Sequence, residues 1–568
     1  MSIFFKIKKE KRKKKKEEKE EKEDDMNIDR KNFWKEALPA VRKAIRDADF
    51  IAFDMEFSGL DRGAGHRITG ADSLQARYRK AVDTVSHFQM LQFGITTFEL
   101  RKEEAGKKAL ITRPFNFYTA PRGNMTAQAS ALEFLSQHKF DFTRCFADGL
   151  QYLTKSEEFE RRKRNIESVS ADGAAEGSGA SRTRRKVVIE GEDREFVSDV
   201  EYRIEKMRQA TSSETSLLLD PCSALRRRLV YQEFSANDLA ISKVPQEEGE
   251  ELAQGHARLR ISLTTPEEKM QERLRQMEDD LQQRVGLRHV IDAMVESKKP
   301  IVGHNCWLDL AFLYNSFVSR TLPDQLEEYL DNLHAKFPCI ADTKYIIQAD
   351  ESVRKELYPG GRGTQLGKAF EKIRAKGPEI IFPDGYGAYE DNLDRAHDAA
   401  YDAYMTGVVF AGAASFLEGG LEGLMAGDDP RNMLNRLNMM KFGFPMVLPG
   451  PNEEPQRTAF VHLTGFPKWT KTHHVKDNFA QFGDVRRVHW VDDDNLFVQF
   501  ATMQEASASV AQSASLPNDW VVQAYNDFVT EGSTKRKLGQ MPEAESVAKR
   551  ARKDESADDG SGSGCIVV

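Results

Sequence analysis

Three short segments carry acidic side chains whose types and spacing could hold a metal ion. In FIAFDMEFSG (50–59), Asp54 and Glu56 stand two apart within an apolar run. On a strand, residues i and i+2 share a face, so both carboxylates can reach one metal ion. Two acids side by side repel unless a cation neutralises them; an isolated pair also fits a strand end facing solvent. In IVGHNCWLDLAFLY (301–314), Asp309 lies between apolar neighbours on a predicted helix. An acid there is costly unless paired or metal-bound, and a helix-face salt bridge stays open as its partner. His304 reads as a helix-entry residue rather than a ligand, and Asn305 as the cap of that helix. In RAHDAAYDAYMTG (395–407), Asp402 falls in an Ala-rich helix and His397 precedes it by five residues. That offset keeps the two off one helical face, which places His397 at or before the helix start. A loop position suits a general base that approaches water as substrate binds. Taken singly, His397 and Asp398 also read as solvated surface.

In order, these elements form D-x-E, then G-H-N-x3-D ending at Asp309, then H-x4-D. The set resembles the DEDD exonuclease superfamily, in its branch with a histidine before the last acid. IAFDMEFSGL, VGHNCWLDL, the Asp342-Thr343-Lys344 triplet and HDAAYDAYMTG are similar, more closely, to the poly(A)-specific ribonucleases, over about residues 30–530. The resemblance implies a metal-dependent 3′-to-5′ exoribonuclease that shortens poly(A) tails from a free 3′-OH and releases 5′-AMP. It further implies that Asp54, Glu56, Asp309 and Asp402 ligate two Mg²⁺ ions, while His397 takes a proton from water. Hard carboxylate oxygens suit Mg²⁺, with Mn²⁺ able to substitute. Phe57, Leu60, Leu132, Phe134 and Leu308 match positions that pack against substrate bases, and Lys344 is available to a phosphate. Ordinary core packing competes with the first five, and stacking carries little base identity. A homodimer is implied by the family alone.

Positioning these residues requires an α/β fold, which the resemblance makes a ribonuclease H-like exonuclease domain: a mixed sheet flanked by helices. Its first part is expected over 26–160, opening with apolar residues at helical spacing from Asn32 and strands near 49–57 and 88–100. Its second part is expected over 299–430. Residues 1–25 form a Lys block and a Glu/Lys block, expected to be a disordered extension. The Gly/Ala/Ser-rich stretch 161–186 reads as a flexible linker, 266–298 as a helical connection, and 431–457 as a Pro/Gly-punctuated linker.

Two smaller α+β modules are expected. The inserted one, over 187–265, carries the basic helix PCSALRRRLVYQEF (221–234). It resembles the single-strand-binding domain named for Arg-x-x-x-His, yet Tyr231 stands where the histidine belongs. Arg226, Arg227 and Arg228 remain available to phosphates, or form a solvated helix face. The module over 458–530 resembles an RNA-recognition motif, with signature strands FVHLTGF (460–466) and DDNLFVQF (493–500). Asp493 and Asp494 replace the usual basic start of the second signature and disfavour ordinary single-strand binding. Trp490 matches a tryptophan that relatives present, and an indole stacks well on a methylated guanine. It is therefore the candidate 5′-cap contact, and Trp469 has the stronger claim to the core.

The chain carries 83 basic and 90 acidic side chains, net −7, so any RNA contact must be local. No apolar run is long enough for a membrane span, and the basic N-terminus lacks the apolar stretch of a secretory signal. The five cysteines are odd in number and lack metal-ligand spacing, which fits a reduced intracellular protein. Within the tail over 531–568, KRK (535–537) and KRARK (549–553) form a candidate bipartite nuclear import signal, giving a nuclear and cytoplasmic location. The terminal Cys565-Ile-Val-Val is only formally a prenylation box. Two other readings remain: a DEDD exonuclease trimming other 3′ ends, and an inactive RNA- or cap-binding scaffold.

Overall fold

The computed structural model describes residues 27–528 apart from 64–65, 103–107, 177–186, 210–215, 235–237, 245–254, 360–362, 387–388, 390–394, 428–431 and 454–455. The N-terminal charged extension, the import signal and Cys565 lie outside the described residues. Strands β1 (Asn27–Ile28), β2 (Phe50–Phe57), β3 (Met90–Lys102) and β4 (Lys108–Tyr118) come first. The inserted module holds β5 (Ser216–Leu218), β6 (Leu239–Lys243) and β7 (Leu259–Leu263). After it come β8 (Ile301–Gly303), β9 (Ile340–Asp342), β10 (Glu379–Ile381), β11 (Arg436–Leu437) and β12 (Met446–Val447).

Among the described residues one mixed sheet of nine strands runs β1-β4-β3-β2-β8-β9-β11-β12, with β10 also on β4. β2 pairs antiparallel with β3 and parallel with β8, so it lies in the middle. A central strand is covered on both faces and reads as a nearly continuous apolar run. Alternation still sorts its residues: Ile51, Phe53, Met55 and Phe57 enter one core, while Phe50 and Ala52 enter the other. By that parity Asp54 and Glu56 extend the second face.

The second face is covered by the Ala399–Ala414 helix, every residue of which is buried. A helix apolar all round has to be internal. Small residues allow the close approach. A Cβ on Gly94 would meet the Ala399 carbonyl carbon at 2.1 Å, and one on Gly407 would meet the Phe98 ring at 2.0 Å. Glycine is required at both positions for this packing distance.

The chain forms two compact units, residues 155–285 and the remainder. The first contains two long helices, Lys155–Glu176 and Pro266–Val285, and the three-stranded sheet β5-β7-β6. That sheet and the helices Glu192–Gln209 and Ala224–Glu233 share a separate core around Val200, Val230 and Ile261. The expected linker from residue 161 is thus corrected: helix continues to Glu176. Arg162 holds it, bonding Glu158 one turn back at 2.8 Å and Glu278 of the second helix at 2.6 Å. Composition conceals this because the stabilising bonds lie across the helix pair. The helical connection expected over 266–298 also divides. Its last helix, Arg288–Ser297, buries Val290, Ile291 and Met294 in the nuclease core. The linker expected over 431–457 contains β11 and β12, which extend the nuclease sheet. Strands of two residues carry no readable periodicity.

The C-terminal module has β13 (Phe460–Thr464), β14 (Val485–Trp490), β15 (Leu496–Phe500) and β16 (Val521–Ala524) in the order β14-β15-β13-β16. Its helices are Thr472–Phe479 and Met503–Ala511. Val461, Leu463, Val498 and Phe500 form its core with Val475 and Phe479.

Candidate active site

Sheet register brings the first two acids together with the helix that carries the last. Asp54 lies opposite Gly94 and Glu56 opposite Gln92 across β2 and β3. Gly94 receives the start of the Ala399–Ala414 helix, and Gln92 Oε1 accepts the Ala399 N–H at 3.0 Å. The same two β3 residues therefore flank the acids and fix the helix entry. Asp398 caps the helix, its Oδ1 accepting from Tyr401 N, and its Oδ2 accepts from Asn116 on β4 at 2.9 Å. Asp402 follows one turn later.

Asp309 occupies the first turn of the Trp307–Leu313 helix, after β8. Asn305 does not cap that helix, contrary to expectation. It takes a left-handed backbone with φ 61°, and its side chain accepts a bond from Asn438 at 2.6 Å. Cys306 occupies the cap position with no side-chain cap bond. The turn is held instead by Asp342 at the end of β9. The Asp342 Oδ1 accepts from the backbone of Asn305 and Lys344, and Oδ2 from the backbone of Asn438. His304 is buried between Thr343 Oγ1 and the Thr364 carbonyl at 2.8 and 3.0 Å, as its structural reading requires. Burial lowers its pKa to about 3.

Asp54, Asp309 and Asp402 are 7%, 2% and 4% exposed, and no described lysine or arginine pairs with them. Burial, then repulsion from Asp402, Asp309 and Glu56, raises the Asp54 carboxyl well above the carboxylate range. Glu56 is raised by burial first, then chiefly by Asp402. Burial pushes Asp309 up to about 7 and Asp402 up to about 8. One oxygen each of Asp309 and Asp402 is buried without a hydrogen-bond partner. Buried acceptors left open in this way fit a cation-binding role. Glu56, His397 and Asp402 present ligand atoms within 4.8 Å of one another, close enough to hold one metal ion.

His397 lies two residues before the helix, with φ 73°, and its backbone N–H donates to Asp402 Oδ2 at 3.2 Å. Its Nδ1 is 4.0 Å from that same oxygen. Phe134 and His138 pack edge-on against its ring, with centroids 4.5 and 4.3 Å away. Burial, assisted by His138, lowers the imidazole pKa to about 4, so it is neutral near pH 7. Sequence reasoning missed His138, Gln92, Asn116 and the buried role of Asp398. None of the first three stands in a motif, and each gains its position from strand register or a loop return.

Among the expected substrate contacts, Phe134 reaches the site through His397. Phe57 is core, stacked on Phe312 at 4.0 Å. Leu60 and Leu308 are half-buried against the same core, and Leu132 against a small cluster around Tyr118. Lys344 follows the Asp342 hub, half-buried, and burial lowers its pKa.

In the inserted module, Arg226 pairs with Asp193 at 3.0 Å, and Arg227 donates to the Cys222 and Gly255 carbonyls. In the C-terminal module, Trp469 departs from its expected core position and is 70% exposed; Trp520 is the buried tryptophan of that domain. Trp490 is half-buried, edge-on to Phe466 at 5.4 Å, with Nε1 donating to Thr472 at 3.0 Å. The sheet face carrying His462 and Phe497 is covered. Phe528 lies 3.9 Å from the His462 ring, and Tyr525 and Ala71 pack on Phe497. Arg457 donates to the Ala71 and Asp72 carbonyls, and Tyr525 to that of Ala71 at 2.9 Å, fastening this face to the loop before the Leu74–His87 helix.

None of the four described cysteines forms a disulfide, and no described helix is long and apolar enough to cross a membrane.

The CAF1 family of ribonucleases matches residues 28–410, and an RNA binding domain matches 450–531. Poly(A)-specific ribonuclease PARN of Homo sapiens is 30% identical, over 92% of this chain and 84% of that protein. The Xenopus laevis PARN is 29% identical, over 91% and 84%. A pre-piRNA 3′-exonuclease trimmer of Bombyx mori is 27% identical, over 77% and 82%. With buried acids and the histidine gathered where β2 meets the Ala399–Ala414 helix, the chain belongs to the CAF1 family of ribonucleases and is a 3′-to-5′ exoribonuclease of the DEDD type.

Proposed function

We propose that the protein degrades poly(A) from a free 3′-OH and releases 5′-AMP, using two Mg²⁺ ions for which Mn²⁺ can substitute. The buried, unpartnered carboxylate oxygens of Asp309 and Asp402 carry this reading, since they complete a donor set of hard oxygens. Asp54, Glu56, Asp309 and Asp402 would hold the ions. When bound, divalent cations supply charge stabilisation for the attacking and leaving oxygens of an in-line displacement. His397, neutral near pH 7, accepts the proton of the attacking water. Phe134 and His138 limit the freedom of its ring and exclude water from the side they cover. Lys344 receives a substrate phosphate. The PARN relatives support poly(A) as the preferred substrate.

Cap binding at Trp490, a homodimer and a nuclear and cytoplasmic location belong to the same proposal. The trimmer relative supports a second reading, in which the same chemistry trims other RNA 3′ ends. Incubation with 3′-labelled poly(A), poly(U) and single-stranded DNA, each with and without chelator, tests both. Metal-dependent release of AMP, fastest from poly(A), is expected. Equal rates on poly(A) and poly(U) would favour general trimming.

A further inference from the structure

Between the Lys155–Glu176 and Pro266–Val285 helices lies a cavity of about 310 Å³. Arg161, Arg164 and Asn165 line it from the first helix, at i, i+3 and i+4, which places them on one face. Met277, Asp280, Leu281 and Arg284 line it from the second, at i, i+3, i+4 and i+7. Two facing stripes thus bring three arginines and one asparagine to the walls of a single space, against one aspartate. Other arginines of this helix pair are matched with acids: Arg162 with Glu158 and Glu278, Arg275 with Glu272. Arg161 and Arg284 have no acid partner among the described residues, and the side chain of Arg164 bonds its own helix, at the Glu160 carbonyl.

We infer that this cavity is a phosphate-binding site for the backbone of the RNA substrate, upstream of the nucleotide being removed. The guanidinium fork matches phosphate geometry and is weakly hydrated, and in an exoribonuclease the anion that several arginines in one cavity would meet is the phosphodiester backbone. In a chain of net charge −7, an excess of positive charge in one cavity must be local and therefore specific in place. Asp280 tempers the charge and lets the strand move through, since a substrate shortened step by step must be released as well as held. No aromatic residue is among the described residues that line the cavity, so it reads backbone and not base. This inference rests on the exoribonuclease reading but is independent of adenine preference.

The test uses the full chain with Arg161→Ala and Arg284→Ala combined, one half-buried and one exposed, and both outside the catalytic machinery. On long oligo(A) the KM should rise about tenfold as two phosphate charges go unneutralised, while kcat and the kinetics on triadenylate stay unchanged. Binding of long oligo(U) should fall in parallel with that of oligo(A), whatever the base preference of cleavage. With two phosphate-neutralising guanidiniums removed, the slope of log affinity against log salt concentration should shrink by about 1.4. Arg161→Lys with Arg284→Lys should keep the salt slope and lose only part of the affinity, and Asp280→Asn should strengthen binding of long RNA. Unchanged affinity for long RNA, or an equal loss on triadenylate and long RNA, would overturn the assignment. Failure of oligo(A) to be preferred over oligo(U) in cleavage would instead overturn only the deadenylase reading.

Discussion

The acid cluster and the sheet face of the C-terminal domain both belong to nucleic-acid-handling folds, yet the structure leaves them in opposite states. At the cluster, three buried carboxylates lack any described lysine or arginine partner, and two of their oxygens accept nothing. On the sheet face, His462, Phe497 and Tyr525 are 4–5% exposed and covered by Phe528, Ala71 and one another. Buried acids without a basic partner shift towards their neutral forms, and such clusters concentrate at sites where a ligand compensates the charge. A covered aromatic face, by contrast, has exchanged its ligand for an intramolecular neighbour. Function is therefore marked here by what is left unsatisfied, and family motif alone does not distinguish the two regions.

The largest effect should come from Asp309→Asn. Loss of a carboxylate from the cluster should lower AMP release by on the order of 10³ or more, since transition-state charge stabilisation is lost. The same change relieves buried repulsion, so thermal stability in chelator should rise; a rise in activity would break the comparison. Gly94→Ala should displace the Ala399–Ala414 helix, because its Cβ meets the Ala399 carbonyl carbon at 2.1 Å. Relieving that contact moves Asp402 away from Asp54 and should cost about 10²-fold in rate, measured alongside circular dichroism.

Phe497→Ala tests the other region. It should cost about 3–5 kcal/mol of stability by denaturant unfolding, as for a core phenylalanine, without changing affinity for oligo(A). A loss of about 1–3 kcal/mol in RNA affinity would instead mark an open stacking platform.

The pH response sharpens the contrast further. Asp309 and Asp402 are raised in the folded state to about 7 and about 8. Folding therefore favours their protonated forms. Their contribution to stability is fully present below the ordinary carboxylate pKa and is lost as pH rises through those values. In chelator, the Tm should fall between about pH 5 and pH 8.5 on their account, and Mg²⁺ should restore it most at the alkaline end. The smallest effect is expected for Trp490→Ala, a loss of about 0.5–2 kcal/mol in binding a methylated cap analogue. Unaltered affinity would return Trp490 to the core, where its packing on Phe466 already places part of it.

Much of the site is legible along the chain. Asp54 and Glu56 stand out because a strand of period two puts them on one face, and Asp309 because an acid among Trp307, Leu308 and Leu310 is costly. The angular arithmetic of a helix puts His397 ahead of its own, and it lies there, two residues before Ala399. Trp469 is misread because a residue in a turn carries no periodicity that separates core from surface. The helix through 161–176 is hidden because its support is Arg162 bonding to Glu278, 116 residues away.

The sequence by itself determined the chemistry: which residue types, in which order, on which local elements. Local periodicity and the cost of burying charge act within a few residues, so they are readable along the chain. Tertiary structure alone decided convergence. Gly94 and Gln92 set the entry of the Ala399–Ala414 helix, Asp342 replaced Asn305 as the holder of the Asp309 turn, and His138 came beside His397. Each depends on strand register and chain return across long separations, where no short-range pattern leaves a trace.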